Sequence, residues 1–289
     1  MIESVCVSLA GHIFRISGSD EISLMKAIPG FPLFFVETDE DPEWQITFGV
    51  DIPEPQHWVE LYNYTFETGD MVSRFGKSDD DFYYRMDFSD VSKSSLLLRY
   101  SGGNIVYANH CTDVSALRFA LWMAVGMLSA SRKMVLIHSS VIVHQNRAVL
   151  FLGESGTGKS THTRLWLKNI PDAHLLNDDS PILVIEEGTP VVYGSPWSGK
   201  THCYHQKHFP LAAVVRLSQA PYNKIRRLGI VEAFSQIQPS CPPALAQDDV
   251  FADPIVSMLG DVISVVPVFH LECLPDADAA QTSYKAIFG

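Results

Sequence analysis

Residues 153–160 read Gly-Glu-Ser-Gly-Thr-Gly-Lys-Ser, an unbroken GxxxxGK[ST] pattern, and no other segment restricts the fold as tightly. Glycines at 153, 156 and 158 permit backbone conformations that a Cβ would block. The loop can then wrap around a phosphate with its N–H groups pointing inward at a helix N-terminus. Lys159 is expected to reach the β- and γ-phosphate oxygens and the Ser160 hydroxyl to ligate Mg²⁺; Thr161 adds a hydroxyl near the α-phosphate. The pattern carries this meaning only where a buried strand leads in and a helix leads out. Arg147-Ala148-Val149-Leu150-Phe151-Leu152 precedes it, and Thr161 to Leu167 follows without a breaker. The expected nucleotide-binding set is therefore Gly153, Ser155, Gly156, Thr157, Gly158, Lys159, Ser160 and Thr161. A Gly-rich turn without a ligand would leave a lysine and a hydroxyl at the helix start unexplained.

The surrounding sequence mixes strand and helix patterns. Short apolar runs at Val135–Ile137, Ser140–Val143, Ala148–Leu152, Ile182–Ile185, Val191–Tyr193, Leu211–Leu217 and Val262–Val268 predict strands. Lys159–Leu167, Ile230–Ile237 and Asp276–Phe288 predict helices. An α/β (α+β) region over residues 135–289 follows. Residues 1–110 read mostly as antiparallel strands. Trp44, Ile46, Phe48 and Val50 alternate with polar or small residues, as do Phe82, Tyr84, Met86 and Phe88. His57–Phe66 and Ser95–Tyr100 look similar, and turn signals separate the runs. Between the two regions, residues 111–134 form a connecting helix with Thr112 or Asp113 as cap. It is apolar nearly all round and so expected to be buried.

Charge divides the chain in the same way. Of a net charge of −12, residues 1–110 contribute −11, from seven Lys/Arg against eighteen Asp/Glu. Such a surface repels nucleic acid and anionic lipid, so neither is an expected partner. Asp79-Asp80-Asp81 invites a metal reading, set against a solvated hairpin tip, which charge clusters in turns favour. The longest apolar run, Phe119–Leu128, is shorter than the roughly 20 residues that span a bilayer, and no secretory signal is recognisable. Five scattered cysteines without a CxxC pair argue against a disulfide framework or a cysteine zinc cage. A cytoplasmic location is the expectation.

A phosphate-binding loop gives binding, not a reaction. Asn177-Asp178-Asp179 follows a short apolar run, its aspartates nineteen and twenty residues after Lys159. One carboxylate at a strand end can hold Mg²⁺ and a second can take the proton of an attacking hydroxyl. The doublet reads equally as an acidic turn before Ser180-Pro181. His202, Cys203, His205 and His208 contain zinc-ligand types within seven residues, which sets a metal site against a merely compositional cluster.

Taken together, His138 to Ser160, Asp178-Asp179, Gly194 to Lys200, Asn223 to Leu228 and Phe269 to Asp276 resemble the HPr kinase/phosphorylase superfamily, related to phosphoenolpyruvate carboxykinase. The resemblance spans roughly 135–289. It implies a β-rich accessory domain followed by a P-loop kinase domain, with ATP and Mg²⁺ as cofactors; no guanine-reading NKxD motif is present. It further implies Asp178 as base toward the acceptor and Asp179 as magnesium ligand, or the reverse order. His138 would lie near the phosphates, or be a satisfied core histidine. Lys200 would pair with transferred phosphate or substrate, or be an exposed loop lysine. Arg226 and Arg227 are candidates for phosphate or acceptor contacts, or surface charges at a helix start. Pro196-Trp197-Ser198-Gly199 stands where the bifunctional enzymes carry a long Gly-rich segment, so HPr as acceptor and phosphorolysis are not implied.

The expected function is an ATP-dependent kinase acting on a hydroxyl of a protein, peptide or small molecule, catalysed by Asp178, Lys159, His138 and Lys200. The alternative is an ATP-sensing protein that binds without chemistry. A homo-oligomer is compatible with either.

Overall fold

The computed structural model describes residues 2–199 and 201–289. The chain forms two compact units, one of Met1–Ser131 with Pro243–Ala252 and one of Arg132–Pro242 with Asp253–Gly289. Both combine a large sheet with helices, an α+β architecture.

The first unit contains β1 (Glu3–Leu9), β2 (His12–Gly18), α1 (Asp20–Ala27), β3 (Phe35–Val36), β4 (Trp44–Thr47), β5 (Val59–Thr65), β6 (Met71–Ser78), β7 (Asp81–Phe88), β8 (Leu96–Tyr100), β9 (Ile105–Ala108) and α2 (Val114–Ser129). Among the described residues its nine strands are ordered β3-β1-β2-β4-β9-β8-β7-β6-β5. β4 pairs in parallel with β2 and β9, and the other pairings are antiparallel. Alternation sends Phe82, Tyr84 and Met86 to a buried face, as expected. Tyr83 on the opposite face is buried too, packed with Ile52 and Leu97 beside Trp58.

Asp113 caps α2 by accepting from Ser115 N–H (2.9 Å) and Ala116 N–H (3.0 Å). The helix packs against β4, β7, β8 and β9. Val114–Arg132 is long and apolar enough to cross a membrane, yet 67% of that stretch is buried inside the protein, as befits a core helix. The strand-dominated reading of residues 1–110 overlooks α1. This helix is seated by Glu21, a buried carboxylate accepting from Ser19 N–H (3.0 Å) and Cys111 N–H (2.9 Å) and paired with His110 (3.1 Å). The returning segment is anchored by Phe251, whose ring meets Phe75, Phe82 and Tyr100, and by a 2.6 Å ion pair from Lys77 to Asp248.

The second unit contains β10 (Met134–Leu136), β11 (Ser139–His144), β12 (Arg147–Leu152), α3 (Lys159–Asn169), β13 (His174–Asp179), β14 (Ile182–Glu186), β15 (Thr189–Tyr193), β16 (His208–Gln219), β17 (Lys224–Arg227) and α4 (Ile230–Ile237). It ends with most of α5 (Asp249–Val265), then β18 (Val268–Cys273) and α6 (Ala277–Phe288). The sheet runs β10-β14-β15-β16-β12-β11-β13, with β18 beside β16 and β17 beside β18. β12, β16 and β18 are mutually parallel neighbours. α3 packs against α6, and Trp166, Phe151, Ile142 and Val215 fill the core beside them.

Two expectations need correction here. Val262–Val268 is not one strand: residues to Val265 close α5, and β18 starts at Val268. Buried Ile255, Met258, Leu259 and Val262 fall at i, i+3, i+4 and i+7, so the apolar run belongs to a helical face. Arg226 and Arg227 do not open a helix; they lie on β17, where Arg226 pairs with His270 and Arg227 with Phe269 of β18.

Candidate functional site

The loop of residues 153–158 leaves the end of β12, whose residues 148–152 are fully buried, and enters α3 at Lys159. The strand-to-helix setting that the motif requires is present. Gly156 and Gly158 adopt φ of 77° and 108°, in the left-handed region that disfavours a side chain. Lys159 folds back over the loop and donates to the carbonyls of Gly153 (2.7 Å) and Glu154 (3.3 Å). Burial, aided by nearby Arg216, holds its ammonium pKa below the ordinary lysine value, against the pull of Glu154, Asp179 and Asp178.

Facing the loop is the end of β13. Register sets Asp178 opposite Ser140 and Asp179 opposite Ser139 of β11. Asp178 Oδ1 accepts from Ser160 Oγ at 3.1 Å and, in close contact, from Ser140 Oγ. Asp178 Oδ2 is buried with no hydrogen-bond partner. His138 Nδ1 lies 3.3 Å from Asp179 Oδ1, and the His138 N–H donates to Ser240 O at 2.7 Å. His138 is half exposed in the segment joining β10 and β11, not in a strand. A cleft of about 340 Å³ is lined by His138, Ser140, Lys159, Ser160, Asp178 and Asp179 together with the loop.

Residues outside the motif hold the doublet. Fully buried Asn177 accepts from Asp179 N–H (3.0 Å) and donates to Trp197 O (3.0 Å) and Ser195 Oγ (3.2 Å). Gly199 N–H donates to Asp178 O at 3.0 Å, and a Cβ on Gly199 would stand only 2.7 Å from that oxygen. The chain thus passes too close for any side chain at 199. Lys200 lies outside the described residues.

Ser140, Arg164 and Arg216 are site residues that carried no role in the sequence reading. Arg164, one helical turn beyond the motif, lines the same cleft and donates to Thr161 Oγ1 at 3.3 Å. Arg216 interrupts an apolar strand, which is the signal that marks it. Arg226 is instead tied to Glu232 at 2.8 Å on the exposed edge strand.

The zinc alternative fails on geometry. Among the described residues no group of three or more His, Cys, Asp or Glu side chains is arranged to hold a metal. His202 meets Tyr204, Cys203 is buried toward Leu175 O with its thiol pushed up to about 11 by burial and then by Asp178, and His208 stacks on Tyr193.

Thr161 is shared with a second cleft of about 540 Å³, walled by Leu165, Leu217, Ala220, Leu274 and Pro275. A polar chamber at the head of the loop therefore adjoins a largely apolar one past the first turn of α3. The first suits a charged polyphosphate, the second a flat organic ring system.

No protein-family model matches the sequence, and no curated protein matches it. Among solved structures, the HPr(Ser) kinase/phosphatase from Coxiella burnetii is similar to this chain at 12% sequence identity and a TM-score of 0.29, spanning 52% of this chain and 91% of that one.

Proposed function

We propose that the second unit is an ATP- and magnesium-dependent phosphotransferase that delivers the γ-phosphate to a hydroxyl acceptor, in the manner of HPr kinase-related proteins. One observation carries this reading. The carboxylate of Asp178 meets the hydroxyl of Ser160 while its second oxygen is buried and unpartnered. An unsatisfied buried carboxylate oxygen is costly unless something is meant to fill it. Mg²⁺ prefers oxygen ligands and needs only one or two from the protein beside phosphate and water, so Ser160 and Asp178 fit it. When bound there, the ion would neutralise charge on the phosphates.

The remaining work falls to the chain's own groups. Loop N–H groups of residues 155–159 hold the β-phosphate. Lys159 exchanges two carbonyl partners for phosphate oxygens. Thr161 leads the nucleoside toward the apolar cleft. The hydrogen bonds favour the reversed order of the aspartates: Asp178 for the metal and Asp179, beside His138, for the acceptor proton. Both carboxylates line the one cleft, so two adjacent groups are available for two tasks.

The test is incubation of the full chain with γ-labelled ATP and fractionated lysate, following label into protein or small molecules. Asp179→Asn should cut transfer by about 100-fold or more and leave Mg-ATP affinity near the parent value. Asp178→Asn should weaken ATP binding only when Mg²⁺ is supplied. Transfer at the parent rate by Asp179→Asn rules out its role as base. ATP capture with no label transferred to any fraction selects the sensing alternative.

A further inference from the structure

The residue paired with Leu152, where β12 ends and the loop begins, is Arg216 of parallel β16. Arg216 thus lies level with the carboxyl end of β12, the strand that feeds the loop, while β16 itself runs on to Gln219; open α/β sheets bind their ligands beyond such strand ends. The side chain is only 13% exposed, and its one ion-pair partner among the described residues is Glu154, the second residue of the loop, which is 77% exposed. Arg216 Nη1 also donates to Ser240 Oγ at 3.4 Å.

That pairing makes poor sense as scaffolding. A bridge to a solvated carboxylate adds little stability, whereas holding a guanidinium mostly out of water is costly. Arg216 and Lys159 both reach Glu154, the first at its carboxylate and the second at its carbonyl oxygen (3.3 Å). Two cations converging on one loop are tolerable when an anion is to be shared between them. Arg216, Glu154, Ser155 and Thr157 border a cleft of about 420 Å³ that shares Glu154, Ser155 and Gly156 with the chamber of the aspartates. Arginine suits the task, because it stays protonated and can grip two phosphate oxygens at once.

We propose that Arg216 binds the γ-phosphate, and that Glu154 occupies its guanidinium whenever the third phosphate is missing. The inference rests on the phosphotransferase reading for the placement of the triphosphate. A nucleoside triphosphate draws Arg216 from Glu154 onto the terminal phosphate. A diphosphate does not reach it and leaves the Arg216–Glu154 pair closed. Arg216 and Glu154 together discriminate substrate from spent nucleotide.

The experiment titrates the full chain, in Mg²⁺, with a non-hydrolysable ATP analogue and with ADP. Arg216→Gln is expected to weaken the analogue by at least about tenfold and to leave ADP within about twofold. Glu154→Gln, which removes the competing carboxylate, is expected to tighten the analogue several-fold relative to ADP. Equal losses for both nucleotides in Arg216→Gln, or no loss for either, overturn the assignment. Should Arg216→Gln fail to fold, Glu154→Gln decides: an unchanged analogue-to-ADP ratio overturns it. A parent chain that binds neither nucleotide sinks the nucleotide reading and this one with it. Arg216-dependent selectivity without any phosphate transfer upholds Arg216 while removing the kinase reading.

Discussion

Single residues in both units hold charge or polarity out of water, and each makes a measurable claim. Burial opposes the charge of Glu21, but hydrogen bonds from the Cys111, Glu21 and Ser19 N–H groups and from His110 outweigh it, leaving its pKa below the ordinary glutamate value. A carboxyl with a depressed folded pKa contributes stability that is present above its unfolded value of about 4.5 and is lost as pH falls through the folded one. Glu21→Ala should therefore cost about 2–4 kcal/mol at neutral pH, since it strands the buried Cys111 N–H and the part-buried Ser19 N–H, and flatten the acid limb of a urea-midpoint profile below pH ~4.5. Asn177 offers the parallel case beside the aspartates. Asn177→Ala leaves the Asp179 N–H without its acceptor and should cost about 1–3 kcal/mol by chemical denaturation. If Asn177 sets the aspartates, the same variant also slows transfer more than it weakens ATP binding.

At the level of elements, α3 and α6 are tied by Ser283, which accepts from Trp166 Nε1 (2.9 Å) and lies 3.1 Å from His162 Nε2. Burial pushes the His162 imidazole down to about 4, so the folded chain keeps it neutral. Between that value and 6.5 the unfolded chain binds more protons, hence stability falls as pH drops through this window. From pH 7 to pH 5 the loss attributable to His162 is about 2 kcal/mol. His162→Leu should remove that slope in urea melts and leave the Glu21 limb at lower pH. Much of this element structure is legible in the sequence. β7 announces itself by alternation, α2 by its apolar surface and Asp113, and the loop-to-α3 junction by the glycines and Lys159. What is not legible is pairing. Ser140 meets Asp178 and Arg216 adjoins Leu152 only through strand register across distant sequence, which no local pattern encodes. Short apolar runs carry a related ambiguity: Val262–Val268 has the composition of a strand, and only the spacing from Ile255 onward assigns its first part to a helix.

For the molecule as a whole, the informative fact is that the chain leaves the first unit after Ser131 and comes back to it at Pro243–Ala252. A fragment of residues 132–289 would carry Leu245 and Phe251 without the rings and helix that bury them, each at 1% exposure in the full chain. Such a fragment should aggregate or melt earlier than the full chain in light scattering and calorimetry. Adding Phe251→Ser should improve its solubility while destabilising the full chain by about 3–5 kcal/mol, the usual cost of emptying a large aromatic site. A fragment as soluble as its Phe251→Ser form would mean that the returning segment is not an anchor. The same re-entry reorders birth and maturity on the ribosome. The sheet that is synthesised first cannot receive its last aromatic plug until residue 251 has emerged, by which time β10 to β17 and the glycine-rich loop are already outside. The older half of the polypeptide is thus the one obliged to wait, exposing an unfilled hollow to chaperones while its younger neighbour assembles.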